Sequence, residues 1–389
     1  MEYPLASSSW DDKEYEAIDR VVRGGVFTMG QEVRALEEAY SEYIGSRYCV
    51  MVNSGSSANL VAVAAMFYRK EGQLKRGDEV VVPAVSWSTT YCPLYQYGLH
   101  LKFVDTDLDT LNYDLGALSK AITEKTRMVV CVDLLGNSND YARIEELVSG
   151  RDIILFEDAC ESMGAEFNGR KVGTFGTVGT FSCFFSHHIS TMEGGLVVTD
   201  DEELYQIMLC LRAHGWTRQL PQDNLVCARK SDDPFQESFR FVLPGYNLRP
   251  LETSGAVGLE QLRKLDRLIK VRRENAEYFQ RLFEATGYCS IQKELGKSSW
   301  FGFAIVLSDD CRVSRAETVE KLRGAGIECR PVVAGDFTKN EVVCFFDHEI
   351  FGQMANAGKV DSQGFFVGNH HYDIIDELDM LKKKLDSIC

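Results

Sequence analysis

Two adjacent histidines, His187 and His188, are the residues of this chain best suited to move protons. They lie in the run GTFSCFFSHHISTMEGGLVVT, in which the hydroxyl of Ser182 comes first and a pair of glycines follows. An imidazole can accept and return a proton near neutral pH, so the pair could provide acid–base catalysis. A metal site is the alternative. It is disfavoured because adjacent side chains point in different directions and no carboxylate or cysteine lies at ligand spacing.

Two carboxylates, Asp158 and Glu161, directly follow a predicted buried strand in the run ILFEDACES. Ligands of a parallel sheet bind beyond the carboxyl ends of its strands, so both groups are candidates for a site. One use for such an aspartate is to hold a protonated ring nitrogen, as the pyridinium of pyridoxal phosphate (PLP) requires. The alternative is that the pair only caps the next helix.

The run VNSGSSANL at residues 52–60 predicts a phosphate cradle. Here a strand gives way to a helix, and Gly55 and Ser56 fall at the helix N-terminus. Backbone N–H groups at that position lack partners, and the helix dipole favours an anion. The alternative is an ordinary N-cap made of serines.

A Gly/Pro turn, LPGYNLRP at residues 243–250, leads into a long predicted helix. Its Asn247 and Arg249 are polar groups for which the local sequence gives no structural reason. By contrast, the GTFGTVG run at residues 173–179 has its glycines at the wrong spacing for a dinucleotide-binding fingerprint.

These groups need a scaffold, and the hydrophobic pattern predicts an α/β fold. Up to about residue 250, short apolar runs alternate with helical periodicity, which indicates a mostly parallel sheet covered on both faces. The hydrophobic pattern changes after Pro250, where long helical segments begin. We therefore expect a large domain over residues 1–250 and a smaller carboxy-terminal α/β domain over residues 251–389. Buried strands are predicted in the run RGDEVVVPAVS, where a Gly-Asp turn opens the strand and Pro83 closes it, and at residues 101–104, 128–132, 152–156, 179–185 and 195–199.

The composition excludes several classes of protein. The chain has 389 residues and a formal net charge of -16, which argues against a nucleic-acid scaffold. No apolar run approaches the length of a membrane span, and the amino terminus shows no secretory signal. Twelve cysteines are scattered without a C-x-C or C-x-x-C pair, so the usual zinc and redox spacings are absent. The sequence predicts a reduced, cytoplasmic protein with no metal, no nucleic-acid partner and no membrane association.

Taken in order, the motifs resemble the nucleotide-sugar aminotransferases, PLP-dependent enzymes of fold type I. The resemblance runs nearly end to end and rests on GGVFTMGQEVRALEEAY, NSGSSANL, RGDEVVVPAVSWSTT, FEDACES, GTFGTVGTFS and GYNLRPLETSGAVGLEQL. It implies a seven-stranded, mostly parallel large domain with a small carboxy-terminal domain. It also implies a homodimer with shared active sites.

The resemblance assigns a role to each residue that would bind the cofactor. Gly55 and Ser56 would grip the phosphate with help from Ser182. Asn247 would reach the same phosphate across the dimer interface.

The remaining cofactor residues would contact the ring. Trp87 would stack on the pyridine, Asp158 would pair with its nitrogen, and Glu161 would lie beside the ring substituents.

One departure from the family pattern points to a different activity. The aminotransferases place a lysine, which binds PLP covalently, five residues after the serine that is Ser182 here. This chain has His187 there, an arrangement similar to that of the PLP-dependent sugar 3-dehydratases, in which histidine is the base. Counting back five residues from His188 reaches Cys183, a poor phosphate ligand. His188 is therefore interpreted as a structural neighbour.

Having histidine at position 187, in place of the family's lysine, implies how the reaction would proceed. Imidazole cannot bind PLP covalently, so the cofactor would be held by non-covalent contacts, with the pyridoxamine phosphate form active. His187 would take a proton from the cofactor's methylene group while the hydroxyl at carbon 3 of a 4-keto sugar leaves. The product would be a 3-deoxy ketosugar plus ammonia, and L-glutamate would be the amine donor.

Two dehydratase classes show this resemblance. The class that acts on CDP-sugars carries an iron–sulfur cluster, which needs four thiolates and uses a C-x-C pair. This chain has no such pair, so no iron–sulfur cluster is expected. The cluster-free class acts on a GDP-linked 4-keto-6-deoxy-mannose in the biosynthesis of colitose, a 3,6-dideoxysugar of O-antigen lipopolysaccharide. We expect this second activity and a GDP-sugar substrate.

The substrate site is predicted from residue chemistry alone, because arginine suits a pyrophosphate, a loop offers backbone donors and a glutamate accepts from sugar or base. Each of these groups could equally be a solvated surface residue. The candidates are Gly25, Val26, Phe27, Thr28, His214, Arg218, Arg249 and Glu328.

Two other functions compete with the dehydratase. One is a nucleotide-sugar 4-aminotransferase that tolerates His187. The other is a non-catalytic PLP-binding protein on a retired aminotransferase scaffold. The intact set of Asp158, Glu161, Ser182 and Trp87 disfavours retirement.

Overall fold

The computed structural model describes residues 2–389. The strands are β1 (Tyr48–Val52), β2 (Glu79–Pro83), β3 (His100–Val104), β4 (Thr126–Val132), β5 (Ile154–Asp158), β6 (Glu166–Phe167), β7 (Arg170–Lys171), β8 (Val178–Ser182), β9 (Gly195–Thr199), β10 (Asp223–Asn224), β11 (Ala228–Arg229), β12 (Cys289–Ile291), β13 (Gly302–Leu307), β14 (His348–Ile350) and β15 (Gly364–Gly368).

The helices cover both faces of the main sheet and build the carboxy-terminal part. They are α1 (Asp12–Gly24), α2 (Gln31–Ile44), α3 (Gly55–Met66), α4 (Ser88–Gln96), α5 (Leu115–Ala121), α6 (Tyr141–Val148), α7 (Glu202–Arg212), α8 (Pro234–Glu237), α9 (Glu252–Phe283), α10 (Arg315–Gly324), α11 (Ala355–Gln363) and α12 (Ile375–Ile388).

The main sheet has the order β1-β9-β8-β5-β4-β2-β3-β14. All neighbouring pairs from β8 to β14 are parallel, whereas β9 runs antiparallel to both β1 and β8. The predicted mostly parallel sheet is confirmed. Its strand count differs from the expected seven, because the short strand β14 from the carboxy-terminal region adds an eighth.

The central strands are apolar throughout because both of their faces are covered. Every residue of β2, β5, β8 and β9 is buried. One apolar cluster lies under α3, α4 and α7, and a second lies under α2, α6 and the first part of α9. This packing explains why continuous apolar runs, rather than alternation, mark the strands of a sheet with helices on both sides.

A third apolar core lies between α9, α12 and the sheet β12-β13-β15. It lies mostly within residues 251–389, where we expect the small domain, and that domain division stays a prediction. Two segments depart from that division. Tyr3 from the amino terminus is buried in this core and pairs with Ile327, whereas β14 leaves it to join the large sheet.

Cys311 and the carboxy-terminal Cys389 form a disulfide with Cα atoms 5.0 Å apart. The expectation that all twelve thiols are reduced is wrong for this pair. The two residues meet because α12 packs back against α10, which brings together positions that are 78 residues apart.

Within residues 2–389, no helix combines the length and the apolarity that crossing a membrane would require. In the same range, no group of three or more His, Cys, Asp or Glu side chains is arranged to hold a metal ion.

Candidate active site

The predicted phosphate cradle lies where β1 ends and α3 begins. The Ser54 hydroxyl caps α3 by accepting a hydrogen bond from the backbone N–H of Ser57, at 3.1 Å. This helix start approaches the end of β8 so closely that a Cβ added at Gly55 would lie 2.6 Å from the Ser182 Cβ. Only glycine fits there. The structure thus brings together Gly55 and Ser182, which are far apart in the sequence, at one helix N-terminus.

Ser56 is the second residue of α3, and its hydroxyl donates to Thr89 Oγ1 at 3.2 Å. Ser182 is buried, and its hydroxyl oxygen accepts from the Phe184 N–H at 3.3 Å. An anion at this helix start would meet free N–H groups and two hydroxyls that can reorient.

Asp158 is the last residue of β5, and its side chain is buried. Its Oδ2 accepts from Asn59 Nδ2 at 2.8 Å and from Thr90 Oγ1 at 2.7 Å, and its Oδ1 accepts from the Cys160 N–H at 3.3 Å. Within residues 2–389, no lysine or arginine forms a salt bridge with it. A buried carboxylate held only by neutral donors can still gain from a cationic partner such as a protonated ring nitrogen.

Glu161 lies just after β5 and is partly buried. Its Oε2 accepts from the Leu135 N–H at 2.9 Å. Burial, with a smaller contribution from the nearby Asp158, raises the pKa of Glu161 to about 7. At neutral pH this carboxyl therefore exists in both protonation states.

Trp87 immediately precedes α4, and 58 % of its surface is exposed. The same helix carries Thr90, the partner of Asp158. An exposed indole so close to the buried carboxylate is the surface expected where a flat ligand would cover it.

The two histidines have different surroundings. His188 is buried, and its Nε2 bonds to the Ser299 carbonyl at 3.0 Å. His187 is partly exposed, its Nδ1 has no partner within the described chain, and its ring packs on Phe184 and Phe301. His188 is therefore tied to the backbone, whereas the imidazole of His187 is free to exchange a proton.

Burial lowers the pKa of both imidazoles, and the nearby Arg272 lowers it further. The pKa of His187 falls to about 4. Its ring is therefore neutral at physiological pH, which is the form that a general base needs.

The turn with Asn247 lies beside the cradle of its own chain. Leu248 accepts a backbone hydrogen bond from Asn53 at 3.0 Å, directly before the helix start. Asn247 itself is exposed, and its Oδ1 accepts from Arg249 Nε at 2.9 Å. Whether Asn247 reaches the partner's phosphate stays a prediction.

The predicted substrate residues fall into separate regions. The loop at Gly25 ends α1, Phe27 is exposed, and Thr28 pairs with Leu251. Val26 is exposed beside them. No hydrogen bond or ion pair within residues 2–389 joins this loop to the other candidates.

Two further candidates flank one indole: the His214 ring packs edge-on against Trp216, and the Arg218 guanidinium lies 4.4 Å from the centre of the same ring. Glu328 accepts from the Leu5 N–H at 2.8 Å and lines a cavity of about 570 Å³ with Arg323 and Arg330. Their common role in substrate binding stays a prediction.

Sequence reasoning missed the groups that support the site. Asn59 and Thr90 hold Asp158, and both lie within motifs that were singled out, so the motifs themselves carried a signal. Ser299 and Phe301 contact the histidines from more than 100 residues away, and nothing local marks them.

A family sequence profile matches residues 8–364: that of the DegT/DnrJ/EryC1/StrS aminotransferase family. The chain belongs to this family. A curated member, "GDP-4-keto-6-deoxy-D-mannose 3-dehydratase" of Yersinia pseudotuberculosis, is 57% identical over 379 residues, which cover 97% of this chain and 96% of that protein.

Solved structures of DegT/DnrJ/EryC1/StrS proteins agree with the fold. The Escherichia coli GDP-4-keto-6-deoxy-D-mannose-3-dehydratase with bound hydrated PLP is 56% identical, covers 99% of both chains and superposes with a TM-score of 0.98. A structure of GDP-4-keto-6-deoxymannose-3-dehydratase with a trapped PLP-glutamate geminal diamine is also 56% identical, with a TM-score of 0.97 over 98% of this chain and 100% of that one. A variant of this dehydratase, which is called ColD, has a lysine in place of a histidine and an asparagine in place of the serine directly before that histidine. The variant is 55% identical to this chain and superposes with a TM-score of 0.96, which covers 97% of this chain and 100% of that one.

Proposed function

We propose that this chain is a PLP-dependent 3-dehydratase of GDP-4-keto-6-deoxy-D-mannose. It removes the hydroxyl at carbon 3, yields a 4-keto-3,6-dideoxy sugar, takes its amine from L-glutamate and releases ammonia. The observation that carries the proposal is a neutral, accessible His187 where the aminotransferases have their lysine. The product suits the formation of a 3,6-dideoxysugar such as colitose for O-antigen, and we place the reaction in the cytoplasm.

The residues present fit PLP. The close contact of Gly55 with Ser182 leaves a helix N-terminus with small hydroxyls for the phosphate. The buried Asp158 has no cationic partner in the described chain, so a protonated ring nitrogen would supply one. Trp87 offers an exposed ring face for stacking.

The bound cofactor, as pyridoxamine phosphate, supplies an amino group for the substrate ketone and a ring that takes up electrons. Asp158 would hold that ring protonated, and the exposed indole of Trp87 would stack on it. His187, as neutral imidazole, would accept a proton from the cofactor's methylene group and return it to the hydroxyl at carbon 3, which would leave as water. Because imidazole forms no stable covalent bond to the cofactor carbonyl, the side chain at position 187 would not compete with glutamate for it.

The variant dehydratase supports the choice of His187 over His188. In that protein, a serine and the histidine directly after it were replaced together. In this chain the only serine followed by a histidine is Ser186, which precedes His187. The bond between His188 and Ser299 agrees with a structural role for the second histidine.

We further propose a homodimer with shared active sites, in which Asn247 of one subunit reaches the phosphate held by the other. Exposure of Asn247 and of the neighbouring Phe239 and Phe241 supports this, because exposed aromatic clusters mark protein–protein contacts.

The decisive experiment supplies PLP, L-glutamate and GDP-4-keto-6-deoxy-D-mannose and measures ammonia and the sugar product. The dehydratase releases ammonia and a 3-deoxy ketosugar only when both substrates are present. A 4-amino sugar without ammonia would establish the 4-aminotransferase instead. CDP- and dTDP-linked analogues serve as matched controls, and faster turnover of either would contradict the assignment of GDP.

A further inference from the structure

Arg272, in the middle of α9, is a buried cation without a carboxylate partner in the described chain. Its side chain is 6% exposed. Its Nη1 donates to the carbonyls of Asn369 at 2.7 Å and Phe301 at 3.2 Å, and its Nε is buried without any partner. A buried guanidinium usually pairs with an acid, because removing it from water is costly. Arg212, which is also buried, does pair, with Glu37 at 2.5 Å.

The guanidinium fixes the residue that covers the catalytic histidine. The Phe301 N–H donates to the Leu135 carbonyl at 2.9 Å, so this residue is held from both sides. The Phe301 ring centre lies 5.0 Å from that of His187 and 6.0 Å from that of His188. Any shift of the arginine would therefore move the ring that packs against the imidazole.

The surroundings of His187 contain few other charges. Its own loop supplies His188 and the uncharged ring of Phe184, and Phe301, directly before β13, supplies a second uncharged ring. After burial itself, the charge of Arg272 is the remaining cause that lowers the pKa of His187. The carboxylates at the end of β5 bond to other groups and form no hydrogen bond with this imidazole.

The same charge acts on a wider set of imidazoles. Burial and Arg272 together lower the pKa values of His370 and His371 to about 4. Arg273, the next residue on α9, donates to the carbonyls of Ser298 and Gly164 and contributes only a minor lowering at His188. Arg273 is thus a nearby cation that does not act on His187.

We infer that Arg272 is a positioning residue for His187: it holds Phe301 against the imidazole, and its uncompensated charge disfavours a second positive charge on that ring. This inference rests on the proposed function. In the resting enzyme this arrangement of Arg272 and Phe301 keeps the imidazole of His187 unprotonated. During the reaction the charge of Arg272 weakens the affinity of the imidazole for the proton it has accepted, which helps the imidazolium to give that proton up.

The first test needs no change at Arg272. The full-length protein with PLP, labelled with ¹³C and ¹⁵N in histidine, is titrated by NMR, and the His187 signal is identified from its loss in His187→Asn. We expect this ring to stay neutral from pH 8 down to pH 5. A His187 that titrates near the ordinary value of about 6.5 overturns the inference.

The second test compares Arg272→Gln, which keeps a donor but removes the charge, with Arg272→Lys, which keeps the charge. In Arg272→Gln the His187 titration should move to higher pH by about one unit, because a nearby like charge that disfavours the protonated ring is removed. The acid limb of the pH profile of kcat should move to higher pH by the same amount. Relative to the unmutated enzyme, the rate should therefore fall further at pH 5.5 than at pH 8. Arg272→Lys should lose kcat equally at both pH values and leave the titration unshifted.

Arg273→Gln is the matched control and should leave both the titration and the acid limb in place. Equal shifts in Arg272→Gln and Arg273→Gln, or no shift in Arg272→Gln, overturn the inference. If Arg272→Gln does not fold, the titration of the unmutated protein can still overturn the inference, because a His187 that titrates at about 6.5 contradicts it. The NMR measurement reports on the imidazole whether or not His187 is the base, so failure of the proposed function would appear separately, as an active His187→Asn enzyme.

Discussion

The proposed cofactor cradle and the surroundings of the proposed base are built in opposite ways. The cradle comes from neighbouring pieces of the large domain: Gly55 meets Ser182, and Asp158 is held by Asn59 and Thr90. The base packs on Phe184 of its own loop and on the distant Phe301, whose carbonyl accepts from Arg272. Within residues 2–389, the cradle contains a carboxylate, Asp158, that has no cationic partner. The base lies beside a cation, Arg272, that has no carboxylate partner there. One region attracts positive charge, and the other disfavours it on the imidazole.

This difference would let one site hold a protonated cofactor ring and an unprotonated base. Opposite local charges push neighbouring pKa values apart, which assigns the acid and base roles. The following three changes test each side of this contrast in turn.

The largest effect is expected at the base. His187→Asn keeps a polar side chain of similar size but cannot accept the proton, so dehydration should fall by about two to four orders of magnitude. Cofactor binding, measured from the PLP absorbance after dialysis, should stay nearly unchanged because the cradle is untouched. His188→Asn is the control, and its larger loss of dehydration would make His188 the base.

A smaller effect is expected at the cradle. Asp158→Asn removes the negative charge opposite the ring nitrogen, so PLP affinity should fall by about one to two orders of magnitude, the value of a charged hydrogen bond. Equilibrium titration with PLP measures it. Glu157→Gln is the matched control because its neighbouring side chain bonds instead to the N–H groups of Gly173 and Gly176. An unchanged affinity in Asp158→Asn would exclude the pairing.

The smallest effect concerns the contribution of the second subunit. A His187→Ala chain mixed with an Asn247→Ala chain should recover about a quarter of the original activity, since half of randomly paired two-fold dimers hold one intact site. Activity is measured after subunit exchange has been confirmed with tagged chains. Exchange without any recovery would mean that each subunit completes its own site.

The sequence predicted most of the fold because the pattern of apolar residues is strong. Continuous apolar runs marked the strands at residues 128–132 and 195–199, and the structure has β4 and β9 there. The run at residues 179–185 was predicted too long, since β8 ends at Ser182 and the chain turns toward the histidines. Strand β14 was not predicted because three residues, HEI, carry no periodicity and become a strand only by pairing with β3.

The sequence by itself determined the chemistry of the contiguous motifs: a helix start with glycine and serines, an aspartate after a buried strand, and a histidine in the lysine position. These depend on residue type and short spacing, which local physics controls. Only the tertiary structure decided which histidine is free, since Ser299 ties His188 and Phe301 packs on His187. It also decided that Arg272 lies beside them without an acid. A charge acts through space rather than along the chain, so its neighbours appear only when distant segments pack together.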